Sequence, residues 1–151
     1  ELAPYFYALS ENYGAPEEDY LQQYREGRLS HEAKTIYEAL LTDGPLDSPS
    51  LRRAARMTTR ESDAAFNRAM LTLQADFKLL PTGVAQVGAW KYAFIYELTH
   101  RYYPDLAEQA RPIRQAVARA RLVELYLRSV GAAQARQVEA GQGHAAQELG
   151  G

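Results

Sequence analysis

Arginine and asparagine are shaped for two-point hydrogen bonding to guanine and adenine edges, and arginine and lysine bind phosphate. Between positions 52 and 91 the chain carries such groups at short intervals. Arg52, Arg53 and Arg56 fall on one segment, Arg60, Asn67 and Arg68 on the next, and Lys78, Gln86 and Lys91 beyond them. At about 100° per residue, a helix with Phe66 inward places Ala64, Arg68, Leu71 and Ala75 near its opposite side. Arg60 and Asn67 lie on the adjoining flank, and the small Ala64 permits close approach. These residues are the candidate contacts to duplex DNA. Glu61 and Asp63 occupy the same first turn; they suit the helix dipole but repel phosphate. The competing reading is a solvated face on a structural helix.

Other chemistries find little support. His31-Glu32 opens like a zinc-binding helix motif, but Thr35 stands where the second histidine belongs. His100 and His144 have no ligand pattern nearby, and neither a Gly-x-Ser-x-Gly elbow nor a phosphate loop is present. Glu17, Glu18 and Asp19 are adjacent and point apart on a helix. The absence of cysteine excludes disulfides, cysteine nucleophiles and thiolate metal sites, and fits a cytoplasmic address. No catalytic residue, metal or cofactor is therefore expected. No apolar run approaches the roughly 18 residues of a membrane span, and the first residues lack the basic start of a signal peptide. The chain begins with Glu1 rather than Met, as a piece of a longer protein would.

These groups need a scaffold, and 151 residues with 46% hydrophobic and 24% charged content can bury a real core. Charge is uneven. Residues 1–47 carry −7, residues 48–121 carry +6 and residues 122–151 carry −1. A basic middle beside an acidic start suits an anionic partner. The acidic start also concentrates Tyr5, Tyr7, Tyr13, Tyr20 and Tyr24, as packing residues at an edge or as an interface.

The apolar pattern predicts a short helix from Leu2 to Asn12 stopped by Gly14. A second starts at Pro16, uses Tyr20, Leu21 and Tyr24, and ends at Gly27. Ser30 caps a third, with Ala33, Ile36, Tyr37, Leu40 and Leu41 on one face. Gly44-Pro45 stops it and, with Leu46, lends a short edge strand. Ser48 caps a helix from Pro49 to about Met57 with Leu51, Ala54 and Ala55 inward. Thr58 or Thr59 caps the next, which runs to about Asp76 on the stripe Phe66, Ala69, Met70 and Leu73. Two strands follow, Phe77–Val84 and Trp90–Leu98, joined by the loop 85–89; Pro81 requires an edge or bulge. Trp90 reads as a core or rim aromatic rather than a base-stacking group. Pro104 opens another helical stretch. A long helix, Arg111 to Val130, carries Ile113, Val117, Ala120, Val123 or Glu124, and Leu127 along one side and closes at Gly131. A last short helix covers about Ala132 to Ala140.

Helix, short helix, tight turn, helix, hairpin is the order of a winged helix-turn-helix. The expected fold class is mainly α (α+β), with a β-hairpin wing whose aromatic face packs on a tri-helical core, and flanking helices. The expected divisions are an acidic aromatic helical extension at 1–29, the winged helix-turn-helix at 30–103, a C-terminal helical extension at 104–140 and a flexible tail at 141–151. The second helix of the pair, near Arg60 to Asp76, enters the major groove in such a domain.

Several segments carry a family resemblance. They are the run from Leu29 to Leu41 with Gly44-Pro45-Leu46, then Phe66-Asn67-Arg68-Ala69 with Leu73-Gln74, Leu80 to Ala85, Trp90 to Phe94, and Tyr126 to Ala132. Over roughly residues 20–138 they resemble the winged-helix proteins related to crosslink-repair DNA glycosylases of the AlkZ/YcaQ type. The resemblance implies a winged-helix fold and association with DNA. The family's glycosylases cut the N-glycosidic bond of alkylated purines with a Gln-x-Gln or Gln-x-Asp motif, and Gln74-Ala75-Asp76 matches that spacing here. It falls at the end of the presumed recognition helix, so the catalytic role is not carried over. The leading expectation is a duplex-DNA-binding protein of repair or regulation. The rivals are a DNA glycosylase or a fragment of one, and a protein-interaction module that forms a homodimer or joins further winged helices.

Overall fold

The computed structural model describes residues 2–10, 15 and 17–148, with side chains followed to position 132. The chain is mainly helical with one three-stranded antiparallel sheet. Gly14, Tyr13 and Pro16, assigned above to a helix stop, the aromatic start and a helix start, lie outside the described residues, as does the end of the tail at 149–151.

The centre is α3 (His31–Asp43). Ser30 Oγ accepts from the Ala33 N–H at 3.1 Å, satisfying one orphan donor of the first turn. Ala33, Ile36, Tyr37 and Leu40 are buried, as the stripe predicts. The helix stops at Gly44, where a Cβ would lie 2.6 Å from the Leu40 carbonyl oxygen; only glycine fits so close a return of the chain. Leu46–Asp47 forms β1, the expected short edge strand. The next helix, α4 (Ser48–Ala54), is capped by Asp47 and not by Ser48. The Asp47 carboxylate accepts from the Ser50 N–H at 2.8 Å and from Ser50 Oγ at 2.9 Å. Leu51 and Ala55 are buried one turn apart, whereas Ala54, expected inward, faces solvent.

A 3-10 turn (Arg60–Ser62) leads into α5 (Asp63–Ala75), which buries Phe66, Ala69, Met70 and Leu73. These helices share one core with Leu79 and Leu98 of the sheet and with Tyr20 of α2 (Asp19–Arg25). The chain leaves α2 through Gly27 at φ +73°, the left-handed conformation that glycine adopts without steric cost.

The hairpin pairs β2 (Leu79–Gly88) with β3 (Lys91–Leu98), in the sheet order β1-β3-β2. Pro81 therefore stands on an edge strand, beside a register shift, where its missing N–H costs nothing. Two expectations about the hairpin fail. Residues 85–88 belong to the strand, and the turn is only Ala89-Trp90, with Trp90 at φ +62°. A second register shift between Gln86 and Gly88 lets the pairing continue that far. Nor does the aromatic face pack wholly on the core. Leu98 is buried and Tyr96 packs against the core, but Phe94 is 55% and Tyr92 65% exposed, because the strands run on past the helices.

After the sheet come α6 (Thr99–Tyr102), α7 (Leu106–Ala110) and α8 (Gln115–Glu148). The helix expected to close at Gly131 continues through it. The apolar stripe assigned to it is also displaced. Val117, Val123 and Leu127 are exposed, while Ala118 is fully buried and Leu122 and Leu125 are half-buried. The segment carries two overlapping apolar stripes, and the one holding the small Ala118 allows close packing. The first helix, α1 (Ala3–Leu9), packs on α7 and α8, and Tyr7, Leu106 and Ala110 make a second small core there. The N-terminal and C-terminal segments thus meet.

Candidate nucleic-acid interface

On α5 the buried stripe fixes the phase of the helix. Ala64, Asn67, Arg68, Leu71 and Ala75 are all exposed, as helical phase with Phe66 inward requires. Arg60 is exposed in the 3-10 turn that leads into this helix. Arg53 is exposed on α4, its Nη2 2.9 Å from Ser50 Oγ. Arg56 follows α4 in a left-handed conformation, φ +56°, with its side chain exposed.

Arg52 is placed differently. Its Nη1 donates to Asp63 Oδ1 at 2.6 Å and to the Met57 carbonyl at 3.3 Å, and its guanidinium lies 4.2 Å from the centre of the Phe66 ring. It braces α4 against α5, and its charge answers one of the two carboxylates at the start of α5. Lys78 is half-buried in the link from α5 to β2. Its N–H donates to the Leu73 carbonyl at 2.8 Å and its carbonyl accepts from the Thr99 N–H at 3.0 Å. Gln86 and Lys91 are exposed toward the far end of the hairpin, Gln86 opposite Tyr92 and Lys91 opposite Gly88. The candidate residues therefore divide between an α4–α5 group and a hairpin group.

Three features escaped the sequence. The first is the outer hairpin. Trp90, 91% exposed and thus neither core nor rim, joins Val84, Tyr92 and Phe94 around an open concavity of about 680 Å³ floored by Pro49. The alternation Tyr92, Phe94, Tyr96 looks like any core-facing strand; only its length against a small domain signals the overrun. The second is Arg101, whose guanidinium donates to the carbonyls of Leu40 at 3.1 Å and Leu41 at 2.6 Å. It satisfies last-turn acceptors of α3 with a cation, as the helix dipole favours. No spacing in the sequence announces a contact across 60 residues.

The third is an aromatic cluster around Tyr37. Its ring lies 4.6 Å from that of Tyr20 and 6.5 Å from His100, and its Oη is 3.5 Å from His100 Nδ1. Burial, followed by the negative charge of Asp19, lifts the Tyr37 phenol well above the ordinary tyrosine range. Burial lowers the His100 pKa, and Arg101 adds to this; Glu17, Glu97 and Asp19 oppose it without reversing it. Its Nε2 is buried and has no hydrogen-bond partner among the described residues. A neutral imidazole in an aromatic joint is a packing group.

Gln74 and Asp76 do not converge on a common atom. The Gln74 amide donates to the Met70 carbonyl at 3.1 Å along its own helix, and Asp76 terminates α5. Among the described residues no group of three or more histidine, aspartate and glutamate side chains is placed to hold a metal ion, and no helix is long and apolar enough to cross a membrane.

A family model described as AlkZ related matches residues 1–140. No curated protein and no solved structure matches the chain.

Proposed function

The chain belongs to the AlkZ-related family, and from that premise we propose that it is a DNA-binding winged-helix protein. The family relation points to a role connected with DNA repair. In this reading residues 30–103 are the winged helix-turn-helix, α4 and α5 are its helix pair, and the β2–β3 hairpin is its wing. The helices at 1–29 and 104–140 are extensions, and the protein works in the cytoplasm. Duplex DNA meets α5 in the major groove. Arg68 and Asn67 reach base edges, Arg60, Arg53 and Arg56 take phosphates, and Lys78, Gln86 and Lys91 contribute along the hairpin. Arg52 supports this surface by pairing with Asp63.

The observation that carries the reading is the outward face of α5. It is anchored from behind by Phe66, Met70 and Leu73 and presents Asn67 and Arg68 with small Ala64 between them and the helix start. The pairing of Asp63 with Arg52 removes part of the carboxylate repulsion expected at that end. Glu61 remains exposed there.

A duplex-binding titration at several salt concentrations tests it. Affinity should fall steeply with salt, and Arg68→Ala should weaken binding by about 1–3 kcal/mol while the protein stays folded. A well-folded Arg68→Ala protein with undiminished affinity would remove α5 from the interface. An assay for release of an alkylated purine from duplex should show none above background. Release abolished by Asp76→Asn would favour a DNA glycosylase instead.

A further inference from the structure

The hairpin beyond the core presents apolar surface that ordinary packing leaves unexplained. On β3, Leu98, Tyr96, Phe94 and Tyr92 alternate along one face, and exposure rises from fully buried Leu98 to Phe94 at 55% and Tyr92 at 65%. Val84 lies opposite Phe94 on the paired strand, and Trp90 stands at the turn. Single exposed apolar residues need no explanation, but a contiguous aromatic patch marks a surface that meets something.

Its chemistry selects the occupant. Among the residues bordering the concavity, Lys91 is the only charged one, and no carboxylate borders it. Flat rings beside a lone cation suit a ligand with π-faces and negative charge, which is nucleic acid. Spacing then selects the form. Residues two apart on a strand are separated by about 6.4–6.8 Å, which sets the spacing of Tyr92 and Phe94 along β3. Bases stacked in a duplex repeat every 3.4 Å or so along each strand. Consecutive bases can lie on Tyr92 and Phe94 only if the strand is unstacked and extended.

We infer that the outer face of the β2–β3 hairpin is a stacking platform for unpaired bases of a single nucleic-acid strand. Tyr92 and Phe94 are its rings, Trp90 covers its open end and Lys91 pairs with phosphate. The inference rests on the nucleic-acid reading above and extends it from duplex to strands with unpaired segments.

Trp90 is the only tryptophan in the chain, so its emission reports on this surface alone. Oligothymidylate and a blunt duplex of equal length are titrated separately against the full chain, following Trp90 emission and, in parallel, anisotropy of labelled DNA. Oligothymidylate should quench Trp90 saturably. The double variant Tyr92→Ala/Phe94→Ala should bind it at least about tenfold more weakly while duplex affinity changes by less than about twofold. Arg68→Ala should weaken the duplex and spare the single strand. Duplex binding without quenching by oligothymidylate, or a double variant that binds single strand like the parent, overturns the platform and leaves the duplex reading standing. Binding of neither DNA overturns both. A blue shift of Trp90 emission with rising protein concentration, in the absence of DNA, overturns the platform in favour of a second copy covering this face.

Discussion

Helix α5 and the β2–β3 hairpin follow one another in the chain and treat their apolar residues in opposite ways. The helix buries every large group of its stripe and exposes Asn67 and Arg68, with Leu71 as an isolated apolar exception. The hairpin buries only its base, Leu79 and Leu98, and carries Trp90, Tyr92 and Phe94 into solvent. The core explains the shape of α5 completely. It explains only the lower part of the hairpin; the upper part is the region that the proposed stacking platform addresses. Polar exposure on a helix is the ordinary outcome of folding, while a contiguous exposed aromatic patch on a long hairpin favours association with other molecules.

The largest effect that tests this contrast comes from truncating one phenylalanine in each region. Phe66→Ala empties a core position and removes the ring beneath the Arg52 guanidinium; it should destabilise the protein by roughly 3–5 kcal/mol. Phe94→Ala removes a ring already more than half in water and should cost under about 1 kcal/mol. Chemical denaturation of both variants checks the pair. Similar losses would show that the outer hairpin packs as tightly as the helix and would erase the contrast.

The junction between hairpin base and helical core gives the next effect. Arg101 lies in α6, the short helix that follows β3, and reaches the end of α3. Arg101→Ala leaves two carbonyls short of a charged donor and should destabilise by about 1–3 kcal/mol. Arg101→Lys should recover only part, because one ammonium cannot span two acceptors in the fixed geometry of a guanidinium. Full recovery would mean that charge alone, and not the fork, ties the hairpin base to α3.

How far the sequence exposed these features depends on the range of the interactions. The stripes of α3 and α5, the Ser30 cap, the stop at Gly27 and the edge position of Pro81 follow from neighbours three or four residues apart or from a residue's own backbone limits, and each appears in the structure. The Asp47 cap was obscured because Ser48 next to it is an equally good capping type. In α8 two stripes compete, and only the tertiary partner chooses between them. The length of the hairpin beyond the core was hidden because alternation records a face and says nothing of whether another layer covers it. The candidate contacts on α5 were legible through helical phase. The diversion of Arg52 to Asp63 was not, since an arginine's partners are set in three dimensions.

The smallest effect concerns pH and the joint behind the hairpin base. His100 begins the return from β3, with its ring against Tyr37 and its pKa held below the ordinary histidine value of 6.5 by burial. The unfolded chain, with the ordinary value, binds a proton at His100 before the folded chain does. Stability from the neutral imidazole is therefore complete above about pH 6.5 and falls as the pH drops below that value toward the lowered folded pKa. His100→Gln should lose some stability at pH 7.5 and show a shallower further decline between pH 7 and pH 5 than the parent. Denaturation midpoints at a series of pH values measure both slopes. Since the outer hairpin has no part in this joint, Tyr92→Ala should keep the parent's slope. A parent that gained stability on acidification, with the gain abolished in His100→Gln, would mean that Glu17, Glu97 and Asp19 outweigh burial, and that this joint is an ion-paired hinge rather than an apolar one.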